Sequence, residues 1–207
     1  MNTKLNTIKV GDKTLTPSKI ICIGRNYVDH INELNNDIPD EMVVFLKPNS
    51  AISDELYSFK QEQLHYEGEI CFVFEKGRFT AVGFGLDITK RELQGKFKSK
   101  GLPWERAKAF DGSAVFGPFV DISAIDNSLS IELNINGENI QSGNISLMMY
   151  KPQDILLELQ TFMTLNDGDI IMTGTPKGVG TIKKGDIFEG IIKNAQGLIL
   201  ATQWRAL

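Results

Sequence analysis

Three carboxylates and two histidines carry most of the chemistry legible in this 207-residue chain. His65-Tyr66-Glu67-Gly68-Glu69 runs directly into the apolar stretch Ile70-Cys71-Phe72-Val73-Phe74. If that stretch is a strand, side chains repeat with a period of two, and His65, Glu67 and Glu69 share one face. Two like charges leading into a buried segment are costly unless a cation sits between them. A hard divalent ion meets that need. Val82-Gly83-Phe84-Gly85-Leu86-Asp87 ends in another carboxylate just past an apolar run. Glu67, Glu69 and Asp87 would then form a facial, oxygen-only site with positions free for water and substrate, suited to Mg²⁺ or Mn²⁺ rather than zinc. A Glu-x-Glu pair also occurs on solvated strand edges, and spacing alone leaves both readings open. His65 could add a nitrogen ligand, but an oxygen-only site suits a hard ion, so we expect it to line the entry.

His30 and Glu33 stand three apart in a segment whose apolar residues Tyr27, Ile31 and Leu34 recur at helical spacing. A neighbouring carboxylate fixes the imidazole tautomer and raises its basicity, which suits an acid–base pair. An incidental polar pair on a surface helix has the same spacing. Lys47 and Lys108 each adjoin an apolar segment, where a lysine is ordinarily a solvated edge residue. Gly174-Thr175-Pro176-Lys177-Gly178-Val179-Gly180 could cradle a carboxylate through backbone N–H groups, or be a wide structural turn. It lacks the spacing of a P-loop, and Gly83-x-Gly85 lacks the third glycine of a dinucleotide fingerprint.

These groups need strands to carry them. Ile8 to Leu15 predicts a hairpin turning at Gly11-Asp12, and Pro17-Ser18 ends it. Lys19 to Gly24 and Val43 to Leu46 predict buried strands, with a loop at Asn35 to Pro39 between them. Thr89 to Lys100 has the composition of a polar helix seamed by Ile88, Leu93 and Phe97. Leu129 to Glu138 alternates into an Asn136-Gly137 hairpin. Pro152 to Leu165 predicts a helix with Ile155, Leu156, Leu159, Phe162 and Met163 on one face. Ile170 to Thr173, Asp186 to Ile192 and Leu198 to Trp204 predict further strands.

The length suits one domain with a small appendage: an N-terminal hairpin extension over 1–18 and a catalytic domain over 19–207. A net charge of −4 with interspersed signs argues against a nucleic-acid surface. No apolar run reaches membrane-spanning length, and Met1 to Val10 has no secretory signature. Cys22 and Cys71 sit in apolar runs, so we expect buried reduced thiols and a cytoplasmic protein.

In order along the chain, several segments resemble the fumarylacetoacetate hydrolase family, and most closely its small acylpyruvases, oxaloacetate decarboxylases and isomerases. They are Ile23 to His30, Phe45-Leu46-Lys47-Pro48, His65 to Glu69, Leu86-Asp87-Ile88-Thr89, Gln94, Lys100 to Trp104, Ala107 to Asp111 and Gly174 to Gly180. The resemblance implies a predominantly β α+β fold, a mixed β-sandwich roll with a few short helices, commonly a homodimer. It implies Mg²⁺ or Mn²⁺ on Glu67, Glu69 and Asp87. It places His30 and Glu33 on a segment closing over the substrate, Lys108 and Gln94 in the pocket, and Arg25, Lys47 and Thr175 near substrate oxygens. The implied substrate is a small 2-oxo acid or dioate. The implied chemistry is C–C hydrolysis of acylpyruvates or oxaloacetate decarboxylation through a metal-stabilised enolate, with a dienoate isomerase or oxaloacetate tautomerase as runner-up. A catalytically idle binding protein is the alternative of another class. Thr89-Lys90-Arg91-Glu92 and Ala114-Val115 depart from the family's usual residues without removing a ligand.

Overall fold

The computed structural model describes residues 5–34 and 37–207. Strands dominate, and among the described residues there are four α-helices. The centre is one mixed sheet. Its strands are β3 (Lys19–Gly24), β4 (Val43–Pro48), β5 (Ile52–Ser53), β8 (Gly68–Glu75), β9 (Arg78–Asp87), β11 (Ala114–Phe116), β12 (Val120–Asp121) and β15 (Ile170–Met172). They lie in the order β4-β3-β15-β8-β9-β11-β5, with β12 paired to β9. Period two divides each strand between two cores. Ile21, Ile23, Phe72 and Ile171 pack on one face; Ile20, Cys22, Val73 and Ile170 pack on the other. Burial of both faces explains why these strands read as continuous apolar runs. Cys22 and Cys71 are free and buried.

The expected hairpin forms from β1 (Ile8–Val10) and β2 (Lys13–Leu15). It is fastened to the sheet: Gly11 N–H donates to the Phe119 carbonyl, and Phe119 N–H to that of Lys9. Asp169, at the start of β15, accepts from Ser18 N–H and Oγ, from Lys19 N–H and Nζ, and from Asn166 N–H. A second sheet, of β13 (Ser130–Ile135), β14 (Glu138–Asn144), β17 (Ile187–Asn194) and β18 (Gly197–Arg205), covers one face of the first. Its hairpin turns at Asn136 and Gly137, both with positive φ, as the Asn-Gly signal predicts. A third, small sheet joins β6 (Phe59–Lys60), β7 (Glu62–Tyr66), β10 (Thr89–Lys90) and β16 (Gly180–Thr181).

The helices are α1 (Val28–Glu33), α2 (Arg91–Ser99), α3 (Glu105–Lys108) and α4 (Pro152–Phe162). Four expectations need correction. Thr89 and Lys90 are strand, because they pair with His65 and Leu64 of β7, and the helix starts only at Arg91. Gln94, not Leu93, is buried on α2 beside Phe97. Phe162 is exposed, since α4 ends there. Strand β4 is a sheet edge with Leu46 exposed, while Lys47 is wholly buried. Within the expected loop at Asn35 to Pro39, Asn35 and Asn36 lie outside the described residues. No helix among the described residues is long and apolar enough to cross a membrane.

Candidate active site

Glu67 occupies the break between β7 and β8, Glu69 the second position of β8, and Asp87 the end of β9. Register brings them together. Gly68 pairs with Leu86 and Glu69 with Gly85, and Asp87 N–H donates to the Glu67 carbonyl. Glycine at 83 and 85 permits this ladder to pack tightly. A Cβ at Gly83 would lie 2.6 Å from the Phe119 ring, and one at Gly85 2.6 Å from Cys71 Sγ. The two glycines thus serve aromatic packing rather than nucleotide binding. The three carboxylates are buried, and one oxygen from each lies within 4.8 Å of the others.

Cations surround this cluster unevenly. Lys108 Nζ donates to Glu67 Oε2 (2.9 Å), Asp87 Oδ2 (2.7 Å) and Thr89 Oγ1 (2.6 Å). Arg91 donates to Glu67 and, at 2.9 Å, to Gln94 Oε1. Burial alone would raise the Glu67 pKa, but Lys108, Arg91 and His30 outweigh it and hold the carboxyl well below its ordinary range. Burial likewise disfavours the Lys108 ammonium, yet Asp87 and Glu67 prevail and raise its pKa. Glu69 is different. Burial, then the charges of Asp87 and Glu67, push its pKa well above the ordinary value, against the bond from Gly174 N–H (2.8 Å). Among the described residues no ammonium or guanidinium donates to it.

This arrangement fits a divalent ion. Glu69 is an anion crowded by two others without a cation of its own. Asp87 Oδ1 is buried and lies at ion-pair distance, 2.8 Å, from Lys47 Nζ, yet it is out of line for any hydrogen bond. Asp87 Oδ1 is thus left without a hydrogen-bond donor. Three carboxylate oxygens match a hard ion that keeps other positions for small ligands.

One cavity of about 40 Å³ unites most of the residues singled out in the sequence. Arg25, His30, Glu67, Glu69, Asp87, Gln94, Lys108 and Thr175 line it, and Arg91, Lys98 and Trp104 join them. His30 Nδ1 is 3.2 Å from Glu33 Oε2, and Glu33 Oε1 accepts from Gly178 N–H at 3.0 Å. Glu33 therefore holds His30 from behind. The α1 segment is anchored by buried Asn26, which donates to the Tyr150 and Thr173 carbonyls and accepts from Tyr150 N–H.

Two of the expected substrate contacts, Lys47 and Thr175, are engaged by bonds within the protein. Lys47 does not line the cavity; it faces Asp87 and donates to the Lys108 carbonyl. Thr175 reaches the wall, but its hydroxyl donates to the Gly68 carbonyl and accepts from Gln141 Nε2. The glycine-rich loop likewise directs Gly174 and Gly178 N–H at the protein's own Glu69 and Glu33. Gly178 has φ +101°, and a Cβ there would lie 2.2 Å from the Ile140 carbonyl oxygen, so glycine is required. His65 is half-buried on β7 and is not among the residues lining the cavity, and β7 ends at Tyr66, before Glu67. Arg91, Thr89 and Gln141 escaped the sequence reading as site residues. Their roles arise from pairings across the fold, and only the odd Thr-Lys-Arg-Glu run hinted at Arg91.

Comparison with known proteins supplies the relationship. Residues 19–199 match the family model described as "Fumarylacetoacetate (FAA) hydrolase C-terminal". The chain is 35% identical over 187 residues to oxaloacetate tautomerase YcgM of Escherichia coli (strain K12), covering 82% of this chain and 85% of the relative. It is 38% identical over 201 residues to the mitochondrial oxaloacetate tautomerase FAHD1 of Homo sapiens, covering 88% and 89%. Among solved structures, fumarylpyruvate hydrolase from Pseudomonas aeruginosa, in complex with Mn²⁺ and pyruvate, superposes with a TM-score of 0.89 at 28% identity, covering 100% of this chain and 97% of that one. The central sheet, the covering four-stranded sheet and the matched residues 19–199 together show that this chain belongs to the fumarylacetoacetate hydrolase family.

Proposed function

We propose that this protein is a divalent-metal-dependent enzyme acting on small 2-oxo acids, hydrolysing acylpyruvates or decarboxylating oxaloacetate. The observation that carries the reading is the convergence of Glu67, Glu69 and Asp87 with His30 and Lys108 on one buried cavity. Glu67, Glu69 and Asp87 would hold the ion, with Mg²⁺ or Mn²⁺ the expected metals. When bound, such an ion supplies Lewis acidity to the adjacent ketone and carboxylate oxygens of a 2-oxo acid. The Mn²⁺ and pyruvate in the Pseudomonas aeruginosa relative support both the ion and the substrate head.

The protein's own groups then handle protons and charge. Glu33 accepts from His30 Nδ1–H, which leaves Nε2 as the basic nitrogen. In hydrolysis Nε2 takes a proton from water as the water oxygen bonds to the distal carbonyl. The C–C bond breaks, its electron pair passes to the enolate of the pyruvate head, and the proton held at Nε2 returns to the enolate carbon to give pyruvate. Lys108, already shared between Glu67 and Asp87, adds positive charge beside that head. The cavity is narrow, with room for only about three waters in about 40 Å³, and it stands partly open to solvent.

A second reading, oxaloacetate keto–enol tautomerisation, is favoured by the relatives at 35–38% identity named for it. It needs only proton transfer through His30 between carbon and oxygen. Acetylpyruvate and oxaloacetate, each with Mg²⁺ or Mn²⁺, separate the readings. Hydrolysis or decarboxylation releases pyruvate; tautomerisation removes the enol absorbance without pyruvate. Failure of both substrates in both assays rejects the proposed class.

A further inference from the structure

Lys108 borders two hollows. One is the narrow acidic cavity; the other is a groove of about 480 Å³ along β4. Phe45, Trp104 and Lys108 line both. The chain explains the sharing. β4 ends the central sheet, and Phe45 lies on it two residues before the buried Lys47, on the same face. Trp104 stands at the start of α3, and its carbonyl accepts from Lys108 N–H at 2.9 Å, so one helical turn joins the two residues. The Phe45 and Trp104 rings lie tilted with centroids 5.9 Å apart. Lys108 Nζ stands 5.2 Å from the Phe45 centroid while it bonds Glu67 and Asp87. The lining common to the two hollows is therefore an aromatic pair and the ammonium that serves the carboxylates.

The groove differs in chemistry from the cavity. Val44, Leu46, Leu102, Phe162 and Met163 line it, and apart from Lys108 its one charged residue is Glu105. Leu46, Leu102 and Phe162 are exposed. Apolar side chains gathered in one hollow hold water against surface that an apolar ligand would cover favourably. The cavity beside the carboxylates, at about 40 Å³, leaves no room for a long tail beside a 2-oxo-acid head. A longer substrate must continue outside it. Continuation past Phe45 and Trp104 enters the groove, where a hydrocarbon chain meets apolar walls. A terminal carboxylate there would meet the same walls and the like charge of Glu105.

We infer that the groove beside Phe45 and Trp104 is a subsite for an apolar substrate tail, so that this protein favours 2-oxo acids with a neutral hydrocarbon tail of several carbons. The inference rests on the reading of the cavity as a 2-oxo-acid site and adds the chemical class of the tail. A second copy of the chain seated on the groove would cover the same side chains but would confer no preference for tail length.

Isothermal titration calorimetry of the Mn²⁺-loaded protein with 2-oxobutyrate, 2-oxohexanoate and 2-oxooctanoate reads the tail independently of the reaction catalysed. Burying methylene groups in an open groove tightens binding about two- to fourfold each, so Kd falls about 15- to 250-fold from the first ligand to the last. 2-Oxooctanedioate, of equal length but ending in a carboxylate, binds at least about tenfold more weakly than 2-oxooctanoate. Leu46→Ser and Phe162→Ser, at exposed positions, lower the ratio of the 2-oxobutyrate Kd to the 2-oxooctanoate Kd about three- to tenfold. A Kd independent of chain length, a dioate bound as tightly as 2-oxooctanoate, or a ratio unchanged in both variants overturns the subsite. If that unchanged ratio accompanies variants that sediment as monomers where wild type is a dimer, the groove belongs to a second copy. If no member of the series binds, the reading of the cavity itself fails, an outcome visible before any variant is made.

Discussion

Replacing Glu69 by Gln separates the metal reading from a purely structural one. The carboxylate is 2% exposed, accepts from Gly174 N–H, and shares its surroundings with Asp87 and Glu67. Gln keeps the shape and an acceptor for Gly174 while deleting one of three crowded negative charges. Without metal the variant should therefore unfold at the wild-type temperature or above it. With metal the order reverses. An ion present at 100 times its Kd stabilises the native state by about 2.7 kcal/mol. For a chain of this size that raises Tm by about 5–11 °C. If loss of one ligand weakens binding about 100-fold, the same concentration gives about 0.4 kcal/mol, or about 1 °C. Thermal unfolding followed by circular dichroism, in EDTA and in Mn²⁺, reads both arms. A wild-type Tm indifferent to Mn²⁺, or a Glu69→Gln shift as large as the wild-type shift, would refute the reasoning. So would a metal-free variant several degrees less stable than wild type, because Glu69 would then be stabilising the fold as an anion.

Two other perturbations address separate parts of the molecule. His30→Ala should fold and bind Mn²⁺ yet lose about 10²–10⁴ in kcat for hydrolysis or tautomerisation; turnover within threefold of wild type rejects the base role. Asp169→Asn should cost about 1–3 kcal/mol at pH 7, read from urea midpoints, because the charge-assisted bonds that Ser18, Lys19 and Asn166 make to this buried carboxylate are weakened. Burial would raise the Asp169 pKa, but the bonds from Lys19, Ser18 and Asn166 outweigh it and lower it. Its contribution is thus complete above the unfolded-state value of about 3.9 and is lost as pH falls through the lower native value. The gap between wild type and Asp169→Asn should accordingly narrow in acid, and a gap independent of pH contradicts this assignment.

The sequence made the strands of the central sheet legible because burial on both faces writes them as unbroken apolar runs. It made the Asn136-Gly137 turn legible because that dipeptide suits positive φ at both positions. The three carboxylates were visible as a costly excess of charge beside apolar strands. What escaped were the partners that meet only across the fold. Lys47 reads as a solvated strand end, yet it is buried because Asp87 arrives from another strand. The loop from Gly174 reads as a cradle for a ligand, yet its N–H groups serve Glu69 and Glu33. Thr89 and Lys90 read as helix until β7 pairs with them. Arg91 and Lys98 were plain surface charges until α2 docked with one face on the cavity.

The most direct measurement is turnover of oxaloacetate and acetylpyruvate by protein stripped with EDTA and then reloaded. The account predicts that activity vanishes on stripping and returns with Mg²⁺ or Mn²⁺, in proportion to one ion bound per chain. Full activity in the stripped protein, with no ion bound, contradicts it.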